Sequence, residues 1–146
     1  MEFVLKLASK PGVPNKNGIV YSEETFRKMI RSEFTEESIK NGCLYVTLGT
    51  DICTQDHFTD FTVKLEDCIG KVSEWEGTDV NVDITSSRFV DIVKELYKQD
   101  RIELGMNYYC RLEKRKDGLI EAKGMKIHSL SLVDKLTGLY FKGGDI

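Results

Sequence analysis

The feature that most constrains the fold is a pair of long β-type runs, residues 102–112 and 119–127, joined by one turn. Lys116-Asp117-Gly118 lies between the runs and has the residue types of a tight turn. The sequence therefore predicts a β-hairpin. Because a sheet buries one face against another layer, other segments of the chain must provide that layer.

Further strands and helices are predicted on both sides of this hairpin. β-rich runs cover residues 2–8, 43–48, 61–65, 69–75, 79–84 and 130–133. Residues 49–60 are polar and irregular, which predicts a loop. The order is strand, helices, several strands, one helix and then strands. This order predicts an α+β fold with helices packed outside a small barrel or open sheet.

Three helices are expected. Ser22 is positioned to cap the first helix, and a short second helix is predicted over residues 36–40. Thr85-Ser86-Ser87 opens the third, where the serines are expected to cap backbone N–H groups. Apolar residues at i, i+3, i+4 and i+7 spacing then follow up to Tyr97, which predicts one broad buried face.

The chain length of 146 residues suits one domain, predicted over residues 1–138, with residues 139–146 as a C-terminal tail. The chain is 40% hydrophobic and 31% charged, as is usual for globular proteins. No apolar run approaches the roughly 20 residues of a membrane span. The N-terminal residues alternate as a strand and lack the pattern of a signal peptide, so we expect an intracellular origin.

Charge argues against a general nucleic-acid binder. The net charge is −3, and no cluster of lysine and arginine supplies a basic face. The densest basic run, residues 111–116, contains a glutamate and leads into the turn at Asp117-Gly118, so it is interpreted as a solvated hairpin end.

Cysteine and histidine usage predicts neither a metal nor a cofactor site. Cys43, Cys53, Cys68 and Cys110 form no C-x-x-C pair and are expected to be buried free thiols. The two histidines, His57 and His128, are far apart in sequence, and no set of zinc ligands can be assembled around them. We interpret His128 as a strand histidine with its hydrogen bonds satisfied.

A series of short motifs resembles the prohead (capsid maturation) proteases of tailed phages. They are Asn15-x-Asn17-Gly18-x-x-Tyr21 before a helix, residues 65–72, Trp75-Glu76-Gly77, residues 85–93, residues 104–109 and residues 130–134. They occur in the family's order over residues 13–135, nearly the whole chain. The resemblance implies the fold of that family, an assemblin-like β-barrel flanked by helices.

The resemblance also locates the family's catalytic positions, and both are replaced. That family has a nucleophilic serine in a Ser-Ser-Arg-Gly strand and a histidine base in a Gly-Glu-x-Asp-His-Pro loop. The serine position falls on Asn107 or Tyr108, and neither forms an acyl intermediate. The histidine position falls on Ile52 or Cys53. The resemblance therefore implies a pseudoenzyme that has kept the scaffold and lost the reaction.

An active site with a different arrangement of residues is the alternative. In it, His57, four or five positions past the expected base, would act as the base, and the nucleophile would be Cys110, Ser129 or Ser131. Ser86-Ser87-Arg88 spells part of the nucleophile motif, but it lies at a predicted helix start. A solvated loop histidine and a core role for Cys110 are the ordinary interpretations of those two residues.

The leading functional hypothesis is a non-enzymatic virion component, an auxiliary or decoration protein of the phage head. It would be made in the host cytoplasm, would need no cofactor and would bind the major capsid protein or another head protein. Self-association into a homo-oligomer is left open. A former peptide groove, formed by Asn107, Tyr108, Tyr109, Ile52 and Cys53, would pair with an extended partner segment.

Two alternatives remain at this point. One is an active capsid maturation protease, of the serine or cysteine type, with a rearranged site that uses His57. The other is a small phage regulator or host-factor inhibitor that has taken over the scaffold.

Overall fold

The computed structural model of this chain describes residues 1–15, 17–49, 51–55, 58–62 and 65–142, with residues 51–65 described by their backbone alone. The elements in chain order are β1 (Glu2–Lys6), β2 (Ile19–Val20), α1 (Glu23–Ile30), α2 (Glu33–Lys40), β3 (Tyr45–Thr47), β4 (Asp51–Gln55), β5 (Phe58–Thr62), a 3₁₀ turn (Leu65–Asp67), β6 (Cys68–Glu76), β7 (Asp79–Ile84), α3 (Val90–Lys98), β8 (Ile102–Lys114) and β9 (Ile120–Asp134). The α+β class is confirmed.

One sheet of seven strands dominates the described part of the chain. Its order is β1-β7-β6-β3-β9-β2, and β8 also pairs with β9. β8 and β9 form the predicted antiparallel hairpin, with pairs that run from Ile102–Asp134 to Lys114–Ile120. β2 and β3 lie parallel to β9, whereas β4 and β5 form a separate antiparallel pair.

The expected barrel is corrected to an open sheet. A barrel needs a continuous ladder between its first and last strands. Among the described residues, the chain just after β1 meets β8 at one isolated bridge, between Leu7 and Leu104, where the Ala8 N–H also donates to the Leu104 carbonyl at 2.7 Å. The ladder does not extend because β1 ends at Lys6 and the chain then enters the loop that contains Pro11 and Pro14.

Serine side chains cap the N-termini of α1 and α2. The Ser22 side chain accepts a hydrogen bond from the Thr25 N–H at 3.0 Å, which confirms the predicted cap of α1. Ser32 caps α2 in the same way, so this helix starts three residues before the predicted Glu36.

The predicted start of the third helix is wrong. α3 begins at Val90, and its N-cap residue, Phe89, makes no side-chain capping bond. Ser86 contributes its backbone carbonyl, which accepts from the Val90 N–H at 3.0 Å. The side-chain capping role expected for Ser86 and Ser87 is therefore not found, because the turn at residues 86–89 is closed by backbone groups.

The strand boundaries also differ from the sequence prediction. The two strands predicted over residues 119–127 and 130–133 are one strand, β9. The register shifts where Asn107 pairs with Ser129 while Tyr108 pairs with Ile127, so that His128 is the extra residue of a β-bulge. The region of residues 49–60, expected to be irregular, contains β4 and most of β5.

The cysteines of the described chain are less buried than expected. Cys43 is exposed, Cys68 and Cys110 are half-buried, and all three are free thiols. The expectation of buried thiols is therefore wrong for these three: Cys43 lies just after α2, where its thiol donates to the Ser38 carbonyl, and Cys110 only partly packs against the apolar core. Cys53 lies on β4, where side chains are not described.

Among the described residues, no helix has the length and apolar character needed to cross a membrane.

Candidate functional site

A polar cluster lies on the strands where the resemblance placed the catalytic serine. It consists of Asn107 on β8, Ser129 and Ser131 on β9, and Thr47 on β3, and we call it the Asn107 cluster. Asn107 is opposite Ser129, and Thr47 is opposite Ser131. Directly opposite residues share one face of a sheet, which brings the four side chains together.

Hydrogen bonds connect the Asn107 cluster throughout. The Asn107 amide Nδ2 donates to Ser131 Oγ at 2.8 Å and to Ser129 Oγ at 3.1 Å. Ser131 Oγ lies 2.9 Å from Thr47 Oγ1, whose hydroxyl donates to the Leu130 carbonyl at 3.4 Å. Asn107 is only 1% exposed, and the other three residues are equally buried. Buried polar groups linked in this way hold one another in fixed positions.

Ser129 also has a histidine beside it. His128 Nδ1 lies 2.8 Å from Ser129 Oγ, within hydrogen-bond reach of a base and its nucleophile. The ring of Tyr109 meets the His128 ring edge-on, with centroids 5.9 Å apart. However, the Ser129 hydroxyl is buried and also accepts from Asn107, so a substrate carbonyl cannot reach it without opening the cluster.

The other predicted nucleophile, Cys110, has an unfavourable environment. Burial raises the pKa of the Cys110 thiol, which lowers its thiolate fraction near neutral pH. Burial also raises the pKa of Tyr108, and nearby Cys110, Tyr21 and Tyr140 add to this effect. This stretch of β8 therefore carries neutral side chains, whereas an activated cysteine needs a neighbour that stabilises its thiolate.

The remaining predicted site residues are only partly located. Ile52 and Cys53 lie on β4, where their backbones pair with Phe61 and Asp60. His57 lies outside the described residues, so its pairing with Cys110 or Ser129 stays a prediction. Tyr109, in contrast, is 42% exposed and forms the open rim of the site.

A segment that the sequence analysis did not assign to the site helps to cover it. After the turn that follows β9, the Phe141 N–H donates to the Leu132 carbonyl at 3.1 Å, and Tyr140 bridges to Val133. A Cβ atom on Gly105 would lie 2.8 Å from the Tyr140 ring. Since Gly105 is opposite Ser131, the Tyr140 side chain lies beside the Asn107 cluster.

The sequence carried a signal for part of this cluster. Ser129 and Ser131 are polar residues two positions apart in an otherwise apolar run, a spacing that places both on one face of a strand. Thr47 gave no such signal, since only the parallel pairing of β3 with β9 brings it to Ser131. In the described residues, no group of three or more His, Cys, Asp and Glu side chains is arranged to hold a metal ion.

This chain is similar to known proteins in structure and not in sequence. No family model matches the chain, and no curated protein matches it in sequence. The solved structure of the bacteriophage T4 capsid assembly protease, gp21, is similar, with a TM-score of 0.62 and 12% identity. The match covers 88% of this chain and 77% of that one. The fold is protease-like. At 12% identity the similarity is one of fold alone. It supports the fold that the sequence resemblance implied.

Proposed function

We propose that this chain is a non-catalytic component of a tailed-phage head, an auxiliary or decoration protein that binds the major capsid protein. The observation that carries the proposal is Asn107. It lies in the segment of β8 predicted to hold the nucleophile of a protease-like fold, and its amide is buried and donates to two serine hydroxyls. A side-chain amide cannot form the covalent acyl intermediate of a serine protease.

The hydroxyl and thiol groups near Asn107 on β8 and β9 are poorly suited to act as nucleophiles, which supports this proposal. Ser129 and Ser131 are buried in the Asn107 cluster, and the thiol of Cys110 has a raised pKa. Peptide-bond cleavage needs an activated nucleophile that touches the scissile carbonyl. In this proposal, the buried hydrogen bonds of the Asn107 cluster hold the strands in place beneath a binding surface that includes Tyr109.

Tyr109 is the residue of the proposed groove best placed to contact a partner. Its side chain is 42% exposed, and its ring meets the His128 ring edge-on. Tyrosine is common at binding hot spots, because it combines a large apolar ring with a polar group. The β4 residues Ile52 and Cys53 complete the groove in this proposal. Tyr108, expected in the same groove, faces the other side of β8 and packs against the apolar core. Repetition over a capsid lattice allows modest affinity at each site to suffice.

A head-binding experiment tests this assignment. Purified chain is mixed with heads of the encoding phage assembled without it, and bound protein is measured after sedimentation. We expect saturable binding by the wild type and at least about tenfold weaker binding by Tyr109→Asp, because a charge replaces the aromatic contact. Ile92→Asp is the control, since Ile92 is 36% exposed on α3 and lies away from the sheet face that carries the Asn107 cluster. Equal binding by Tyr109→Asp and wild type would exclude the Tyr109 face.

The second candidate function, an active maturation protease, has one observation in its favour. His128 Nδ1 and Ser129 Oγ are 2.8 Å apart, which is the spacing of a base and a serine nucleophile. Co-expression with the head proteins, followed by gel analysis of their processing, separates the two functions. Processing that is lost in Ser129→Ala and in His128→Ala would establish the protease, and His57→Ala tests the base expected from the sequence. Unchanged processing in all three variants supports the non-catalytic component.

A further inference from the structure

A groove separates the two ends of the open sheet, away from the Asn107 cluster. β1 and β8 are bridged only at Leu7 and Leu104. Beside that bridge the strands enclose an open groove of about 780 Å³, lined by residues 4–8 of the β1 side and by Ile102 and Glu103 of β8. The gap that prevents barrel closure is therefore also a cleft with a strand on each side.

The backbone of β1 alternates between its two edges. The Met1 carbonyl accepts from the Ile84 N–H at 2.9 Å, and the Leu7 N–H donates to the Thr78 carbonyl at 3.1 Å. Both partners lie on the β7 side of β1. In an antiparallel ladder, the residues that bond to one neighbour alternate with residues whose N–H and C=O groups point to the opposite edge. The odd-numbered residues of β1 therefore bond to β7.

The even-numbered residues direct their backbone groups towards the groove. Ala8 continues this series, and its N–H donates to the Leu104 carbonyl of β8 at 2.7 Å. Glu2, Val4 and Lys6 precede it, and β1 has no ladder on this side among the described residues. Their N–H and C=O groups form an open edge on which an additional strand can pair.

The charge of the groove differs in sign from that of the whole chain. Its lining includes the four lysines Lys6, Lys10, Lys98 and Lys135 and the two acids Asp100 and Glu103. Lys135 binds Asp100 at 3.1 Å and Lys6 binds Asp79 at 3.0 Å, whereas Lys10 and Lys98 form no ion pair within the described chain. The groove is therefore a positive site on a protein whose net charge is −3.

Apolar side chains complete the site. Val4 is 50% exposed, and Tyr97 is 43% exposed while its ring packs on Phe3 with centroids 5.1 Å apart. A strand that pairs with β1 presents alternate side chains to opposite faces. We infer that this groove binds an extended, acidic segment of a partner protein, which adds a strand to β1 and alternates acidic with apolar residues.

A labelled peptide tests the inference directly on the full chain. The probe is an end-capped peptide of about seven residues that alternates glutamate and valine, a length that spans β1 at about 3.3 Å per residue. Fluorescence anisotropy measures its affinity at low and high salt. We expect binding to weaken at least about tenfold as the salt rises, because exposed charge pairs are screened. A peptide that alternates lysine and valine should bind at least about tenfold more weakly.

Two variants identify the site on the protein. Val4→Pro removes an N–H that faces the groove and leaves the β7 ladder intact, so it should fold and lose at least about tenfold in affinity. The double variant Lys10→Glu/Lys98→Glu should cause a similar loss of affinity. It provides the test of the groove if Val4→Pro does not fold. Lys40→Glu/Lys116→Glu is the matched control, since both lysines are exposed outside the groove.

Three results would overturn the inference. One is unchanged peptide affinity in both groove variants, and another is equal affinity for the lysine peptide. The third is a wild-type chain that dimerises through β1 and excludes the peptide, which would make a second copy the occupant. None of these outcomes depends on Tyr109, so head binding and peptide binding can fail separately.

Discussion

Asn107→Leu is expected to destabilise the protein by about 2–3 kcal/mol, because it removes the donor shared by two buried serine hydroxyls. Asn107 Nδ2 donates to both Ser129 and Ser131, and all three side chains are inaccessible to solvent. Leucine has a similar volume, so lost hydrogen bonding outweighs any change in packing. Chemical denaturation, followed by circular dichroism, measures the free energy of unfolding.

The control for this variant is Asn81→Leu. Asn81 is also a strand asparagine, but its Nδ2 makes one exposed bond, to Glu74 at 3.3 Å. We expect its effect to stay below about 1 kcal/mol, as for most partly exposed polar positions. A loss of less than about 0.5 kcal/mol in Asn107→Leu would show that the Asn107 cluster does not stabilise this fold.

Gly70→Ala is expected to cost about 3 kcal/mol and to lower the melting temperature by roughly 10 °C. Gly70 lies on β6, between Val46 of β3 and Ile84 of β7. A Cβ atom at this position would clash with the Asp83 carbonyl oxygen. Because that oxygen belongs to the backbone of a paired strand, the clash is relieved only if β6 and β7 separate locally.

The matched substitution is Gly77→Asn in the turn between β6 and β7. Gly77 has a φ of +58°, and no atom lies within 4 Å of a Cβ built there. Asparagine tolerates this left-handed conformation, so the expected cost is below about 1 kcal/mol. Differential scanning calorimetry compares the two variants. Equal melting temperatures would contradict the close approach of β7 to Gly70.

The parts of the fold that were predicted correctly are those fixed by local sequence. The Ser22 cap defines the start of α1, and the turn at Gly118 defines the β8–β9 hairpin. The errors arose where a second interaction decides the structure. Ser86 has a side chain suited to capping, but its backbone carbonyl closes the turn before α3. The continuity of β9 depends on the bulge at His128.

The candidate site was only partly predictable for the same reason. Local alternation places Asn107 and Ser129 on their strands, and the hairpin turn sets which residues face each other. The contact between Thr47 and Ser131 joins residues 84 positions apart, and no local pattern encodes it. Sheet closure also depends on distant partners, because the divergence of β1 and β8 beside one bridge is set by the path of the whole sheet.

In the proposed function, this chain is a bound, non-catalytic component of the phage head. The most direct measurement is quantitative mass spectrometry of purified mature heads, which gives the ratio of this chain to the major capsid protein. We expect intact chain in many copies per head, at a constant ratio between preparations. Its absence from mature heads, or its presence only as fragments left after maturation, would contradict the proposed function.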